Sequence, residues 1–544
     1  MLVGEAVGRA LARLGVRQAF GVVGSGNFHV TNALVDGGAR FVAARHEGGA
    51  ATMADAYARM SGEVAAVTVH QGCGLTNALT GIAEAAKSRT PLLVLAAEAT
   101  APGSNFHVDQ PAIATAVSAA QVRVASAETA LDDVARAYAL ARHERRTVVV
   151  NLPLDVQGLP VDDGAHVRPA APPPPPPPPD VSEVAGLLAA ARRPVLIAGR
   201  GARHARADLL ALADACGALV ATSAVARGLF HGSPWSLDVS GGFASPLAAA
   251  LITEADVVVG FGCALNMWTM RHGRLIGPGA RVAQVDVEAD AIGRHRPVDV
   301  GVVGDSAQVA RAVTAALHGR QGPGYRSDEL RDRIARELRW RDVPYDDWGG
   351  GSGASARIDP RTLTIALDDL LPAERVVAVD SGNFMGYPSM FLSVPDEFGF
   401  CFTQAFQSIG LGLATAIGAA LARPDRLPVA ALGDGGALMA AAELDTVRRL
   451  GLPMVVVVYN DDAYGAEVHH FADGSPLDTV TFPDTDIAAI GAGYGFDAVT
   501  VRSVDDLGGV RSWLDGDRAR PLLVDAKVAA PQGSWWLEEA FRGH

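Results

Sequence analysis

The chain has 544 residues, 49% of them hydrophobic, which is enough for about three domains of ordinary size with sizeable cores. Its net charge of −14 argues against nucleic acid or an anionic membrane as a partner, because either needs a basic patch. The four cysteines form no CxxC pair and no run of about 18 apolar residues occurs, so neither a zinc site, a disulfide framework nor a membrane span is indicated.

The N-terminus enters an amphipathic helical pattern directly, without the charged and apolar segments of a signal peptide. A reducing compartment fits the cysteine pattern as well. We therefore expect a cytoplasmic protein whose partners are small molecules and other copies of the chain.

Two segments of biased composition divide the chain. The uninterrupted proline run at 172–179 predicts an extended polyproline II spacer. A glycine-rich segment at 349–353 follows a charged helical stretch at 327–341 and marks a second boundary. The predicted domains are 1–165, 180–320 and 357–544, joined by linkers at 166–179 and 321–356.

Short apolar runs alternate with longer amphipathic segments in every block, which is the pattern of doubly wound α/β domains. The runs stand at 19–23, 64–69 and 92–95 in the first block and at 194–199, 256–262 and 281–286 in the middle block. The sequence therefore predicts the α/β class, with three doubly wound parallel-sheet domains.

The third block contains the most informative motif, Gly433-Asp434-Gly435, followed after 24 residues by Asn460. Residues 429–432 predict a buried strand and 454–459 the next one, with a helix between them. The apolar residues expected on one face of that helix are Leu438, Leu444, Val447 and Leu450.

Parallel crossovers bring both strands out at the same sheet edge, so Asp434 and Asn460 should converge about one strand spacing apart. Hard oxygen ligands of this kind suit Mg²⁺, and the neighbouring glycines let backbone N–H groups approach a diphosphate. For an isolated Gly-Asp-Gly, a strand-ending turn with an Asp helix cap is the ordinary alternative.

The motif through Asn460-Asp461-Asp462 resembles the thiamine diphosphate fingerprint of the acetolactate synthase, pyruvate oxidase and benzoylformate decarboxylase superfamily. The three blocks resemble its pyrimidine-binding, central and diphosphate-binding domains in order, over nearly the whole chain. The resemblance implies that Asp434, Asn460 and the backbone carbonyl of Asp462 hold Mg²⁺. Asp461 departs from the second asparagine usual in relatives.

Glu47 follows a strand-like segment and opens a predicted helix, where an acid ordinarily stabilises the helix dipole. The resemblance implies instead that Glu47 shares a proton with N1′ of the cofactor's aminopyrimidine, which promotes loss of the C2 proton. Ile409 matches the bulky residue that bends the cofactor, with an ordinary core isoleucine as the alternative. The carbonyl of Gln407 matches the acceptor of the 4′-amino group, where relatives often carry glycine.

Further cofactor contacts are implied at loops that follow predicted strands, with plain turns as the alternative. These residues are Gly24, Ser25, Asn77, Asn383, Gly433, Gly435, Gly436, Ala437, Tyr464 and Gly465. The candidate proton-transfer and substrate groups are His70, Gln110, Glu467 and His470, and each has a structural or solvated role as its alternative.

The predicted reaction cleaves a bond next to a 2-oxo group and transfers the acyl carbanion to a carbonyl acceptor, as in acetolactate synthase-like carboligation. Simple 2-oxo acid decarboxylation is the nearest alternative, and C–C hydrolysis stays open. Two partial glycine motifs, at 21–26 and 199–201, leave a nucleotide-dependent oxidoreductase as a weaker hypothesis. The joint presence of Glu47, Asp434 and Asn460 disfavours a noncatalytic homologue.

Some members of the family bind FAD in the central domain through an arginine-containing segment. Residues 261–268 occupy that place here without the Phe-Asp-Asp-Arg pattern, so FAD is open but not favoured. Because the family reads the two ends of its cofactor with domains of different subunits, the resemblance implies a homodimer or homotetramer.

Overall fold

Three six-stranded parallel β-sheets follow one another along the chain, each flanked by helices. The computed structural model describes residues 1–162, 166–171, 177–317, 324–471 and 474–537. Each sheet falls inside one of the three predicted blocks, and the predicted fold class is confirmed. The bounds of the domains and linkers stay predictions.

The first sheet contains β1 (Gln18–Gly21), β2 (Arg40–Ala43), β3 (Ala65–Val69), β4 (Leu92–Glu98), β5 (Ala120–Arg123) and β6 (Thr147–Pro153). Its helices are α1 (Val3–Leu14), α2 (Phe28–Asp36), α3 (Glu47–Ser61), α4 (Cys73–Asn77), α5 (Leu79–Lys87), α6 (Gln110–Ala116), α7 (Ala130–Glu144) and α8 (Leu154–Gln157). The strand order is β2-β1-β3-β4-β6-β5. The order reverses between β1 and β3, which opens a crevice at their carboxyl ends, where such sheets bind ligands.

The second sheet contains β7 (Pro194–Ala198), β8 (Leu219–Thr222), β9 (Ser236–Val239), β10 (Val257–Phe261), β11 (Arg281–Asp286) and β12 (Val300–Val303). Its helices are α9 (Ser182–Ala190), α10 (Arg206–Cys216), α11 (Pro246–Thr253), α12 (Met267–Met270) and α13 (Ser306–Ala316), and α14 (Asp328–Glu337) follows. The strand order is β12-β11-β10-β7-β8-β9, so β7 and β10 form its central pair.

The third sheet contains β13 (Arg375–Val379), β14 (Phe400–Phe402), β15 (Leu427–Gly433), β16 (Val455–Asn460), β17 (Asp497–Val501) and β18 (Leu522–Lys527). Its helices are α15 (Pro360–Leu370), α16 (Gly386–Phe391), α17 (Gly412–Ala422), α18 (Asp434–Met439), α19 (Leu444–Arg449), α20 (Gly465–His470), α21 (Ile487–Gly493) and α22 (Gly508–Asp515). The strand order β14-β13-β15-β16-β18-β17 repeats that of the first sheet.

Helices α3 and α17 pack against each other and join the first domain to the third. Gly418 in α17 lies so close to α3 that an added Cβ would stand 2.1 Å from the carbonyl oxygen of Met53. Met53 and Ile417 are fully buried in one hydrophobic core that both domains share. This shared core holds the carboxyl ends of the first and third sheets in a fixed relation.

The helix predicted between β15 and β16 is interrupted. Helix α18 ends at Met439, a 3₁₀ turn follows at Ala441–Glu443, and α19 begins at Leu444. Leu444 and Val447 are buried, but Leu438 is 43% exposed, so the prediction of one continuous buried face is wrong at Leu438. A 3₁₀ turn has about 3.0 residues per turn and is wound more tightly than an α-helix. The residues after the turn are therefore rotated about the helix axis, and they do not lie on the same face as Leu438.

The proline run at 172–179 lies mostly outside the described residues, because the structure describes only its last three residues. Its predicted spacer role is therefore untested. Among the described residues, no helix combines the length and the apolar character that crossing a membrane requires.

Candidate active site

The predicted metal ligands lie at the carboxyl end of the third sheet. Strands β15 and β16 are adjacent and parallel, with Gly433 opposite Tyr459. Asp434 therefore begins α18 beside the strand end that carries Asn460. The convergence predicted from the spacing of the two residues follows directly from this register.

Asp434 is buried, and no lysine or arginine among the described residues forms an ion pair with it. Burial raises its pKa to about 6, the charge of Asp462 adds to that rise, and the N–H group of Gly435 offsets only part of it. Burial and the charge of Asp434 likewise raise the pKa of Asp461 to about 8. Carboxylates crowded in this way are stabilised by a bound cation.

Asn460 and Asp462 are joined by a hydrogen bond, in which the N–H of Asp462 donates to Oδ1 of Asn460 at 3.2 Å. Asn460 donates from Nδ2 to Oδ1 of Asp525 over 2.9 Å, which fixes the direction of its own Oδ1. Asp462 has a left-handed backbone, with φ of 57°, and its carboxylate pairs with Arg357 at 2.7 Å. Its side chain is thereby engaged elsewhere. Its backbone carbonyl accepts the N–H of Phe482 at 2.8 Å, and the second lone pair of that oxygen is what it can offer a metal.

Across the described parts of the chain, no group of three or more His, Cys, Asp or Glu side chains forms a metal cluster. The predicted donor set is of another type, with one carboxylate, one amide oxygen and one backbone carbonyl. Mg²⁺ takes such a set when phosphate oxygens and water complete its octahedron. The residues present therefore fit a magnesium diphosphate.

Glycines form the walls of the adjoining cradle. A Cβ on Gly436 would lie 2.2 Å from Oδ2 of Asp380, and a Cβ on Gly435 would lie 2.5 Å from the Tyr464 ring. A Cβ on Gly465 would lie 2.3 Å from Oδ2 of Asp461. Backbone N–H groups at this helix start, through the buried Ala437, can thus approach an anion closely.

Asn383 lies beside this cradle but already has partners. Its Oδ1 accepts a hydrogen bond from the N–H of Ser534 at 3.2 Å, and its carbonyl accepts from the Ser534 hydroxyl at 2.8 Å. Within the described residues its amide nitrogen is the group left for a diphosphate, next to Gly465.

The loop before α17 carries Gln407 and Ile409. Gln407 has φ of 61°, a left-handed conformation that glycine adopts at lower cost, which explains how glutamine can stand where relatives often carry glycine. The buried carboxylate of Asp380 accepts N–H groups from Gly410 and Leu411 at 3.0 and 3.2 Å. Burial raises the pKa of Asp380 to about 6.

In the first domain, Glu47 begins α3 and is 9% exposed. Its Oε2 accepts a hydrogen bond from Nδ2 of Asn77 at 3.1 Å. The structure therefore brings together two residues that the sequence placed in separate loops.

His70 packs edge-on against Phe106, with ring centroids 5.2 Å apart. Its Nδ1 accepts the N–H of Gly26 at 3.3 Å, and a Cβ on Gly24 would lie 2.7 Å from the same nitrogen. Ser25 is exposed beside them. His70 thus lies against the loop after β1, and in this arrangement its Nε2 is the protonated nitrogen.

Gln110 is buried and forms part of the scaffold of this loop. Its Oε1 accepts the N–H of Gly72 at 3.2 Å, and its Nε2 donates to Asn151 at 3.0 Å. In this structure its side chain positions the glycine-rich loop at 70–77.

A cavity of about 630 Å³ opens where the first, central and third domains meet. Gln407, Ile409 and Glu467 line one side of it, whereas the described lining includes neither Glu47, His470 nor Asp434. His470 is exposed and stacks edge-on with Phe471. We refer to this space below as the chamber.

The chamber is cationic although the chain carries a net charge of −14. Two carboxylates, of Asp286 and Glu467, face six basic side chains, namely Arg59, Lys87, Arg89, Arg200, Arg271 and Arg294. Arg200 forms no hydrogen bond or ion pair within the described residues. Burial and, after it, the charge of Arg59 lower its pKa to about 9, so Arg200 is still a cation at neutral pH.

Comparison with known proteins decides the family. Residues 1–119, 181–313 and 380–526 match the N-terminal TPP binding, central and C-terminal TPP binding domains of the thiamine pyrophosphate enzymes. A probable 2-ketoarginine decarboxylase of Pseudomonas aeruginosa is 30% identical over 93% of this chain and 90% of its own length. The chain is a thiamine pyrophosphate enzyme.

Other relatives of this thiamine pyrophosphate enzyme are named for different activities. A sulfoacetaldehyde acetyltransferase of Rhodobacter capsulatus is 29% identical over 99% of this chain and 96% of its own length. A probable acetolactate synthase large subunit of Methanocaldococcus jannaschii is 27% identical over 85% of this chain and 80% of its own length. The chain is a transferase or lyase that depends on thiamine diphosphate.

Sequence reasoning missed four residues of this enzyme's site. Asp380, Glu84 and Glu443 hold loops through backbone N–H groups, and Arg200 stands unpaired in the chamber. Asp380 carried a usable signal, because it follows a strand at the same sheet edge as Asp434. Glu84 and Glu443 lie inside helical segments that carry no such signal.

Proposed function

We propose that this thiamine diphosphate enzyme requires Mg²⁺, cleaves a bond next to a 2-oxo group and transfers the acyl carbanion to a carbonyl acceptor. The observation that carries the proposal is the chamber beside Gln407 and Ile409. Its volume of about 630 Å³ suits two small reactants, since pockets for single drug-sized ligands span about 300–1,000 Å³. A donor and an acceptor can therefore occupy it together.

The charge of the chamber supports anionic reactants. Arg59 and Arg89 are paired with carboxylates, and Arg271 donates to the carbonyls of Gly241 and Ala244. Among the described residues, Arg200 and Arg294 lack such partners. Arg200 is the less exposed of the two, so we take it as the guanidinium that meets a carboxylate, sulfonate or phosphate group of a substrate inside the chamber.

When bound, thiamine diphosphate supplies a carbanion that adds to a carbonyl carbon. Asp434, Asn460 and the carbonyl of Asp462 would hold Mg²⁺, and the N–H groups of residues 435–437 would hold the diphosphate. Glu47 would hold a proton at N1′ of the pyrimidine ring, in a position that Asn77 fixes. The side chain of Ile409 and the carbonyl of Gln407 would support the bent cofactor.

Simple decarboxylation is the second candidate, and one contact favours it. Glu467 lines the chamber together with Gln407 and Ile409, where a carboxylic acid can deliver a proton to the acyl carbanion. The relative named as a probable 2-ketoarginine decarboxylase supports the same candidate. His70, Gln110 and His470 stay as predicted contributors, and the C–C hydrolase and oxidoreductase alternatives have no contact that favours them.

We also propose that a second copy of the chain completes each site. Within one chain, Glu47 does not line the chamber that Ile409 lines, although both ends of the cofactor must be held. Large apolar side chains lie exposed around the site, including Phe406, Met439 and Phe471. A homodimer or homotetramer accounts for both observations.

The test is a product screen with purified protein, thiamine diphosphate and Mg²⁺. Pyruvate, 2-ketoarginine and sulfoacetaldehyde are supplied singly and in pairs with aldehyde and 2-oxo acid acceptors, and the products are identified by mass spectrometry. A joined or transferred acyl product supports the proposal, whereas an aldehyde alone supports the decarboxylase. Glu47→Gln is the control that separates enzymatic from background products.

A further inference from the structure

Two buried carboxylates connect the first and third domains. Each carboxylate belongs to one domain and accepts hydrogen bonds from a loop of the other. Glu443 of the third domain accepts the N–H groups of Arg45 and His46 on its Oε1, each at 3.0 Å. Its Oε2 accepts the hydroxyl of Thr446 at 2.6 Å. Arg45 and His46 are the two residues before Glu47, so Glu443 fixes the backbone from which the catalytic acid projects.

Space for this contact depends on a small residue in α3. A Cβ on Gly49 would lie 2.5 Å from Oε1 of Glu443. Any side chain at this position would therefore press on the carboxylate that holds Arg45 and His46.

Glu84 of the first domain makes the reverse contact. Its Oε1 accepts the N–H of Ala405 at 3.0 Å, and its Oε2 accepts the N–H of Phe406 at 2.6 Å. Ala405 and Phe406 directly precede Gln407, which is followed by Ser408 and Ile409. Glu84 therefore fixes the start of the loop that is expected to bend the cofactor.

A buried ion pair keeps Glu84 charged. Arg59 donates to Oε1 of Glu84 at 2.8 Å and is paired with Asp55 at 2.6 Å. Burial raises the pKa of Glu84, but the Arg59 charge and the two N–H groups lower it more, so the net pKa lies below the usual range. Arg59 also donates to the carbonyl of Phe402 at 3.0 Å, in the strand that leads into the same loop.

The two contacts are related by the shared topology of the domains. The first and third sheets have the same strand order, so β2 and α3 correspond to β14 and α17. Glu84 lies in the helical segment after β3, and Glu443 lies in the one after the corresponding strand β15. Each domain thus supplies one carboxylate that binds a loop of the other domain. This loop precedes α3 in the first domain and α17 in the third.

We propose that Glu84 and Glu443 are positioning residues that hold the two cofactor loops through backbone N–H groups, and that neither touches the cofactor. The inference rests on the proposed roles of Glu47, Gln407 and Ile409. A displacement of about 1 Å can cost about 100-fold in rate, so these clamps are expected to control C2 proton loss without controlling diphosphate affinity.

The geometry predicts that glutamine can replace Glu443 but not Glu84. At Glu443 both N–H groups share one oxygen, so Glu443→Gln keeps an acceptor for them, whereas Glu443→Met leaves both N–H groups unpaired. At Glu84 each oxygen serves a different N–H, so Glu84→Gln turns one acceptor into a donor. Glu84→Gln and Glu443→Met should therefore loosen the loops that these residues hold, whereas Glu443→Gln should keep its loop in place.

The first measurement is amide hydrogen exchange of the apoprotein by mass spectrometry. Losing a hydrogen bond to a charged group corresponds to about tenfold to 100-fold faster exchange at the affected amides. Glu443→Met should deprotect Arg45 and His46 only, and Glu84→Gln should deprotect whichever of Ala405 and Phe406 then faces the amide nitrogen. Asp133→Asn is the matched control, because Asp133 is a buried carboxylate that accepts the N–H of Ala125 away from the site.

The second measurement is exchange of the C2 proton of bound thiamine diphosphate, without any substrate. Glu443→Met and Glu84→Gln should slow it by about 100-fold, while Glu443→Gln and Asp133→Asn stay near wild type. Thr446→Val, which removes only the hydroxyl bond to Glu443, should give an intermediate value and serves if Glu443→Met does not fold.

Two results would overturn the inference: unchanged protection of the four amides, or deprotected amides with C2 exchange at the wild-type rate. Equal slowing in Asp133→Asn would also overturn it, since any buried carboxylate would then have the same effect. If Glu47→Gln itself leaves C2 exchange unchanged, the proposed function fails, and the amide data still decide whether the clamps exist.

Discussion

Asn77 donates a hydrogen bond to Oε2 of Glu47 across 3.1 Å, and it does so from the end of α4, which follows β3, whereas Glu47 follows β2. Among the described residues, Oε1 of Glu47 accepts no hydrogen bond, so it is the oxygen that can meet a ring nitrogen. Because Asn77 holds Glu47, the segments that carry these two residues must both be in place before Glu47 can bind the cofactor.

Glu47→Gln is expected to abolish proton sharing with the pyrimidine while the diphosphate end still binds. C2 proton exchange should fall by about 100-fold to 10,000-fold, the range for a lost acid–base group. Quenched proton exchange followed by NMR measures this rate, and calorimetry measures cofactor affinity. An exchange rate equal to wild type would refute the role assigned to Glu47.

Asp434→Asn removes the only side-chain carboxylate in the predicted metal donor set. Affinity for thiamine diphosphate in the presence of Mg²⁺ should fall by more than the roughly 100-fold seen for lost outer partners of metal ligands. Asp461→Asn is the control, because Asp461 is beside Asp434 but outside the predicted donor set. Titration calorimetry with and without Mg²⁺ compares the cofactor affinity of the two variants. Equal losses of affinity would contradict the assignment of Asp434, and not Asp461, as the metal ligand.

The convergence of Asp434 and Asn460 at one sheet edge was predictable because it depends on local order. Asp434 and Asn460 end neighbouring parallel strands, and parallel crossovers fix their shared edge whatever the rest of the chain does. Leu438 was misjudged because the 3₁₀ turn at Ala441–Glu443 shifts the helical phase, and no glycine or proline announces that turn.

The clamps could not be predicted in the same way. Glu443 contacts Arg45 across 398 positions of the chain, and Glu84 contacts Ala405 across 321. Such pairs are set by how α3 meets α17, which depends on the shape of two complete domains. Arg200 was missed for a related reason, since its lack of a partner becomes visible only when every neighbour is placed.

Arg200→Gln tests the anionic substrate. Removing this unpaired guanidinium should raise KM for an anionic substrate by about tenfold to 100-fold, the value of one charge-assisted hydrogen bond, with kcat little changed. Arg193→Gln is the control, because Arg193 is exposed just before β7, where that strand begins. Steady-state kinetics over a range of salt should also show a weaker salt dependence of KM in Arg200→Gln, and an unchanged KM would remove Arg200 from substrate binding.

Gln407 offers a test of a backbone role, because its exposed side chain is not part of the proposed chemistry. A left-handed conformation costs a non-glycine residue about 1–3 kcal/mol, so Gln407→Gly relieves strain and should keep kcat with an equal or higher melting temperature. Gln407→Val places a β-branched residue in the same conformation, where it is a genuine outlier, and should distort the carbonyl and lower kcat by tenfold or more, about 1.4 kcal/mol. Kinetics and thermal melting of the two variants give the comparison. If Gln407→Gly lost activity as strongly as Gln407→Val, the side chain rather than the carbonyl would be the functional group.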